Sequence, residues 1–439
     1  MSVFFITSKK GFYVFSFSIF AKKKMKMGRQ VIKYIAIYLG LILGYCVFAV
    51  ISCSLPDQAI KRRIEKVAEP LAEKGNYPND IIDLTPCRED NFMHALILNQ
   101  IYCIDRSHPF LAAMRADRVG RSMEQPAELL KLTRNEYTDP PTSYARYWHG
   151  STFLYRIFLF FTNYHTLQLI LFITSSLLWL IFCLTYYPKA GLWKTIALFM
   201  SWLLVYGFVQ MFSLQFFPVL AITLLTSILI TKHSENRRYI SLLFFITSSL
   251  TCFFDLLTTP LLSLGWPLVV WLSIQNDTKN TLKDRIVPLV SWSALWSLGF
   301  SLTWFSKWVI GTVTLKRSVL DDAFKTAIYR TSAEYFNRFE VITQNTNMLP
   351  YALIICTLII FLIVAATHFN KNGFRRSWLF IILAILPYLW YLLLANHSYK
   401  HFWFTYRLQA ITIAALGMFL LCFKKDKSRK GLANSVGNQ

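Results

Sequence analysis

The chain has 439 residues, 55% of them hydrophobic and 16% aromatic, with 37 Phe and 13 Trp and a mean hydropathy of +0.41. Apolar runs of about 18 residues or more recur along it, the length that crosses a bilayer core of about 30 Å; this excludes a soluble enzyme and predicts an all-α, polytopic helical membrane protein. The net charge of +23 would suggest nucleic acid in a soluble protein, but no nucleic-acid-binding motif accompanies it, and cytoplasmic loops of membrane proteins collect Lys and Arg, so no nucleic-acid partner is expected.

Residues 1–31 read as a cytoplasmic segment. Their apolar stretch of about ten residues is too short to span and has no small-residue cleavage site. It reads as an interfacial anchor, or as an extension ahead of Met27, whose "MGRQVIKYIAIYLG" is a more ordinary opening. About ten spanning helices are expected, near 32–54, 165–187, 192–209, 212–231, 239–256, 258–274, 286–308, 350–368, 376–394 and 402–422. Alternating sides places "KKKMKMGRQVIK", "YYPKAGLWK", "TKHSENRR", "KNTLKDR", "NKNGFRRS" and "KKDKSRK" together. Their excess of Lys and Arg makes that side cytoplasmic, with both termini inside a multi-pass cell-membrane protein.

Residues 55–164 and 309–349 then lie outside, between the first span and spans two to seven (165–308) and before spans eight to ten (350–422), with a cytoplasmic tail at 423–439. In "DQAIKRRIEKVAEPLAEKG", Ile60, Ile64, Val67, Ala68 and Leu71 fall on one helix face, with Gly75 at the stop. "SHPFLAAMRADRVG" predicts a second helix from Pro109 to Gly120. Tyr144 to Phe161 reads as an aromatic interfacial helix on the membrane lipids. "VLDDAFKTAIYRTSAEYFNRFE" predicts a helix started by Asp321 and Asp322, with Phe324, Ile328, Tyr335 and Phe339 as its apolar residues and a surface or lid position.

The 8 Cys show no CxxC pair and no zinc spacing. Cys46, Cys183, Cys252, Cys356 and Cys422 lie in apolar runs as packing residues; Cys53, Cys87 and Cys103 lie at or beyond the first helix, and a Cys87–Cys103 disulfide is compatible with that placement.

Four polar clusters fall at one depth on the outer face. "CREDNFMHALILN" presents Glu89, Asp90, Asn91 and His94; "SYARYWHG" presents Arg146, Tyr147, Trp148 and His149; "CFFDLLTTP" carries Asp255; "LLANHSYKHFWFTYRLQ" presents Asn396, His397, Tyr399, Lys400, His401, Tyr406 and Arg407. Asp90 is suited to N-capping the following helix or to acting as a general base. Asp255, at the outer end of an apolar span, is a catalytic candidate or a turn residue bonding the following Thr hydroxyls. Arg407, inside the last apolar run, needs an anionic partner such as phosphate or an acid. His397 and His401 share a helix face at i, i+4, but no third ligand accompanies them, so no metal site is expected. Arg146, Tyr147, Trp148 and His149 suit either interfacial anchoring or contact with a phosphorylated sugar, with Glu89, Asn91, His397, His401 and Tyr406 as further substrate contacts.

One helix, a large outer loop bearing an acid near membrane level, interfacial helices and a many-helix remainder resemble the GT-C superfamily of membrane glycosyltransferases. The resemblance implies transfer of a sugar from a polyprenyl-phosphate carrier to a cell-envelope glycan acceptor. In that family an acid of the first outer loop acts as base or helps hold a metal; here it would be Asp90 of "REDNF", and a divalent cation is compatible. "EDNFMHALILN", "YARYWHG", "FFDLLTTPLLSLGWPL" and "NHSYKHFWFTYR" are also similar to a group of polytopic proteins of Gram-positive bacteria with no assigned activity. The alternatives are a transporter or flippase of lipid-linked precursors, a polysaccharide polymerase or ligase, and a non-catalytic envelope protein. Transporters favour mid-membrane polar helices and inverted repeats, which this sequence does not show.

Overall fold

The computed structural model describes residues 6–78, 89–120, 122–137, 140–275, 281–352, 355–356, 359–360, 362–363 and 371–423. The expected span at 350–368, Cys87 and nearly all of the 423–439 tail therefore lie largely or wholly outside the described residues. Met1–Val47 and Phe48–Gln439 form two compact units. The first is the leading part of α1 (Ile6–Ser54), a single helix that continues through the short apolar stretch expected as an anchor.

The second unit is almost wholly helical among the described residues. A polar subdomain holds α2 (Asp57–Lys74), α3 (Asn91–Tyr102), α4 (Pro109–Arg115), α5 (Gln125–Thr133) and α6 (Gly150–Phe161), with one short ladder, β1 (Asp117–Arg118) antiparallel to β2 (Thr142–Ser143). After it come α7 (Tyr164–Ala190), α8 (Leu192–Leu203), a 3₁₀ turn at Gly207–Met211, α9 (Phe217–Lys232), α10 (Arg237–Phe254), α11 (Leu262–Gln275) and α12 (Leu282–Leu315). α13 (Val319–Thr331), α14 (Glu340–Asn347), α15 (Lys371–Leu393), α16 (Ala395–Lys400), α17 (Phe402–Thr405), a 3₁₀ turn at Tyr406–Leu408 and α18 (Gln409–Phe423) complete it.

Four helical segments, Gly28–Ser54, Tyr164–Ala190, Leu282–Leu315 and Phe402–Leu421, are long and apolar enough to cross a membrane; α8, α9 and α11 are shorter apolar helices. α7 is about 40 Å long at 1.5 Å per residue, and Leu169, Phe172, Ile173, Leu177, Leu180 and Leu184 are exposed along it. So wide an apolar surface is stable only against lipid or another protein. α10 packs along α12, α15 along α18, and α9 against both α7 and α11.

The α2 face expected from its spacing is the buried one: Ile60, Ile64, Val67, Ala68 and Leu71 are all in the core. They meet Ala95, Ile97, Leu98 and Ile101 of α3, Leu129 of α5, Leu159 of α6 and Leu167 of α7. The polar subdomain and the start of a membrane-length helix therefore share one core. Arg156 of α6 is wholly buried inside it. Its Nε donates to the Ser52 carbonyl (3.0 Å), Nη1 to Ile101 (3.2 Å), and Nη2 to Leu55 (3.0 Å) and the Asp57 carboxylate. That set closes the ends of α1 and α3, whose last carbonyls lack intrahelical donors.

One expectation is corrected. The helix from Pro109 stops at Arg115, because Ala116 takes a left-handed φ of 47° and hands the chain to the ladder. There the Arg115 carbonyl accepts from the Tyr144 amide (3.0 Å) and the Ser143 hydroxyl (2.8 Å). Cys103 Sγ donates to Asn99 Oδ1 (3.5 Å), and the Cys87–Cys103 pairing falls on Cys87, outside the described residues.

Candidate functional site

Asp90 stands at the start of α3, where a residue of its type caps exposed backbone amides. Its Oδ1 accepts from the Met93 amide at 3.0 Å, so the capping role is filled by one oxygen. Oδ2 is buried and has no protein partner. The residue is only 4% exposed, and loss of water pushes its carboxyl up to about 6, while the Met93 bond and the attraction of Arg407 pull the other way. Arg407, 3% exposed, sits in the 3₁₀ turn before α18. Its Nη1 donates to the Trp403 carbonyl (3.1 Å), its guanidinium lies 4.6 Å over the Phe216 ring and 4.9 Å over Tyr406, and its Nε has no partner. Cation–π contacts of this kind hold a guanidinium without consuming its N–H groups. Tyr77 is stacked on Phe92 (6.3 Å) and tilted against Trp403 (5.6 Å), bridging the polar subdomain to α17.

Glu89 is half-buried beside Asp90, and Asn91 is buried with its Nδ2 donating to the Gly75 carbonyl (3.2 Å). His94 is fully satisfied. The Leu214 amide donates to its Nε2 (3.1 Å), so Nδ1 carries the proton and faces the Tyr164 hydroxyl (2.7 Å). Burial holds its pKa down to about 3. It reads as structure.

Asp255 follows α10, where one oxygen fills the turn role and the other, Oδ2, is buried without a partner. Its Oδ1 accepts from the Thr258 amide (3.2 Å), the Thr258 hydroxyl and Gln215 Nε2 (3.5 Å). The turn is tight: Leu257 holds φ +67°, a conformation rare for a bulky side chain. Its carbonyl accepts from His397 Nε2 at 2.7 Å. That bond ties α16 to the Asp255 turn and leaves His397 Nδ1 as a buried acceptor with no partner. The His401 ring lies 4.9 Å from that of His397. Burial, with Arg330 adding to it, keeps both imidazoles neutral, His401 at about 4.

The "ARYWHG" segment reaches the same turn from the other side. Gly150 opens α6 so close to α10 that a Cβ would lie 2.5 Å from the Phe253 ring and 2.7 Å from its carbonyl. Ser151 Oγ donates to the Phe254 carbonyl at 2.7 Å. Tyr147, Trp148 and His149 are 2%, 0% and 1% exposed. This corrects their reading as interfacial anchors, and Trp148 as a sugar-stacking face: Trp148 Nε1 donates to the Thr303 carbonyl (2.7 Å) inside the core. His149 Nε2 donates to the Tyr144 carbonyl (2.8 Å). Arg146 pairs with Asp322 of α13 (3.2 Å), away from Asp90.

All four sequence clusters therefore join in one network around the Asp255 turn, and Tyr406 is buried with them. Residues not singled out from sequence complete it: Tyr77, Gln215, Phe216, Thr258, Arg330 and Trp403. Gln215, a lone amide in "FSLQFFP", and Arg330, at the end of an otherwise amphipathic helix, were the available signals.

Comparison with family models, curated proteins and solved structures gives no match. Among the described residues no group of three His, Cys, Asp or Glu could hold a metal. The Arg407 charge acts on Asp90 and disfavours a cation beside it, so Asp90 and its described neighbours do not fit a divalent metal. What the arrangement offers is a carboxylate oxygen able to take a proton and a guanidinium N–H able to meet an anion, in an aromatic-walled, water-poor setting.

Proposed function

We propose that this protein is a glycosyltransferase of the GT-C kind, moving a sugar from a polyprenyl-phosphate carrier to a cell-envelope glycan on the outer face of the cell membrane. One observation carries the reading: Asp90 Oδ2 is buried and unpartnered within the field of Arg407. Evolved folds satisfy buried polar atoms in the great majority of cases, and perturbed acids gather at working sites. The acceptor hydroxyl oxygen attacks the anomeric carbon while Asp90 Oδ2 takes its proton. The bond from that carbon to the carrier phosphate breaks, its electron pair leaving with the phosphate. A carboxyl near pH 6 is mostly ionised at neutral pH and still basic enough for this transfer. Arg407 meets the charge that grows on the departing oxygen, stabilising the transition state more than the ground state. The Asp255 turn acts as a positioning wall. About ten spans, with both termini in the cytoplasm, put this network at the outer leaflet, where the carrier lies.

Mass spectrometry of lipid-linked sugars and surface glycans in a deletion strain tests this. Build-up of a polyprenyl-phosphate sugar with loss of one glycan residue, reversed by the restored gene, is expected. An unchanged profile overturns the reading.

A further inference from the structure

Beyond Asp90 and Arg407, a second group of buried polar atoms lacks partners, where Tyr147 of "SYARYWHG" lies under Arg330 of α13 and the Arg330 charge reaches His397 and His401 of α16 and its end. The Tyr147 hydroxyl has no hydrogen bond of normal geometry, and the His397 Nδ1, His401 Nδ1 and one Arg330 Nη are buried without one. The Arg330 guanidinium lies 5.4 Å over the Tyr147 ring. These groups come from three distant segments, so local chain geometry does not explain their gathering. Their hydrogen-bonding characters also differ. Arg330 can only donate; His397 Nδ1 can only accept, since its Nε2 donates to the Leu257 carbonyl; a tyrosine hydroxyl does both. A lone anion would leave the His397 lone pair unmatched, and a neutral polyol would leave the guanidinium charge unmatched.

We infer that Arg330, Tyr147 and His397 form a second binding site, for a hydroxyl-rich ligand carrying one acidic group, of the class of an acidic sugar. The acid meets Arg330, a ligand hydroxyl donates to His397 Nδ1, and Tyr147 bridges the two. α13 covers the site. It buries only Val319 and Ala323 and is otherwise held by a ring contact of Phe324 with Trp308 (5.9 Å) and by polar contacts: Asn396 Nδ2 to the Tyr329 carbonyl (2.8 Å), Lys400 to the Tyr329 hydroxyl, and Arg146 to Asp322 (3.2 Å). Exposed ion pairs of this kind are worth little each, so α13 lifts at modest cost to admit the ligand. The inference concerns binding alone and does not depend on sugar transfer at Asp90.

The Trp304 ring is stacked 5.8 Å from Tyr147, so tryptophan fluorescence reports occupancy. The test titrates the full-length protein in phosphatidylcholine nanodiscs with glucuronic acid, glucose and inorganic phosphate. A saturable response to glucuronic acid is expected, with glucose and phosphate at least tenfold weaker. Arg330→Gln and the conservative Tyr147→Phe should each weaken glucuronic acid by about tenfold or more, the size expected for losing a charged or buried hydrogen bond. Asp90→Asn should bind it as wild type does, so loss of the transfer reading leaves this site standing. No saturable response in the wild type, or equal affinity in both site variants, overturns the inference.

Discussion

Arg156, midway along α6, and Asp90, at the start of α3, are both charged and both buried, yet the protein treats them in opposite ways. Arg156 has an acceptor for each of its nitrogens, gathered from three carbonyls and the Asp57 carboxylate. Asp90 uses one oxygen as a cap and leaves the other without a partner, with Arg407 near but not joined to it by a salt bridge. Burial alone does not distinguish a structural charge from a working one; completeness of hydrogen bonding does. Arg156 is a brace. Asp90 is held ready.

The largest effect expected from that contrast is on stability. Arg156→Met leaves Asp57 and three carbonyls without their donor and should cost about 3–5 kcal/mol, the usual loss on breaking a buried pair. Reduced thermal midpoint and membrane abundance check it; wild-type stability would remove Arg156 as a brace. Gly150→Ala should cost about 1–3 kcal/mol, because its Cβ would overlap Phe253 ring and backbone atoms. Midpoint measurement on the purified variant decides it.

Acid should act next. His94 and His149 are neutral when folded, with pKa values near 3 against an unfolded 6.5. The unfolded chain takes up those protons first, so stability falls as pH drops below 6.5, by about 1.4 kcal/mol per pH unit for each histidine. Asp90 has the opposite sign: its folded pKa of about 6 exceeds the 3.8 of an ordinary carboxyl, so its protonated form favours folding, and that contribution is lost as pH rises through 6. With His397 and His401 also held neutral in the fold, the histidines outweigh Asp90 and stability should fall on acidification between about pH 4 and 6. A thermal midpoint that rises on acidification would contradict this. Asp90→Asn keeps the cap and removes a carboxylate whose ionised form burial disfavours, so a thermal midpoint no lower than wild type is expected at neutral pH. Activity in the wild type should fall away below about pH 6 as Asp90 gains its proton.

Much of this was legible in the sequence where periodicity or a chemical type was decisive. The α2 stripe and a helix start at Asp321 and Asp322 hold in the structure, and hydrogen bonds join the "SYARYWHG", Asp255 and His397 segments. What sequence could not separate was an aromatic at a membrane surface from one in a core: Trp148 looks alike in both until Thr303 is found opposite its Nε1. Nor could it pair Arg146 with Asp322, 176 residues away, or bring Arg330 to Tyr147. Those contacts depend on how α12 and α13 return to the subdomain, and no local spacing encodes that return. The end of α4 was missed because Ala116 takes a left-handed φ of 47° four residues before Gly120, which is itself at φ +80°.

The central claim is that Asp90 works rather than braces. The most direct measurement is the lipid-linked sugar profile of a deletion strain carrying Asp90→Asn at wild-type membrane abundance. The account predicts the deletion's profile, with the carrier-linked sugar accumulated, in a protein that folds normally. A wild-type profile from the Asp90→Asn strain would contradict it and make Asp90 a helix cap alone.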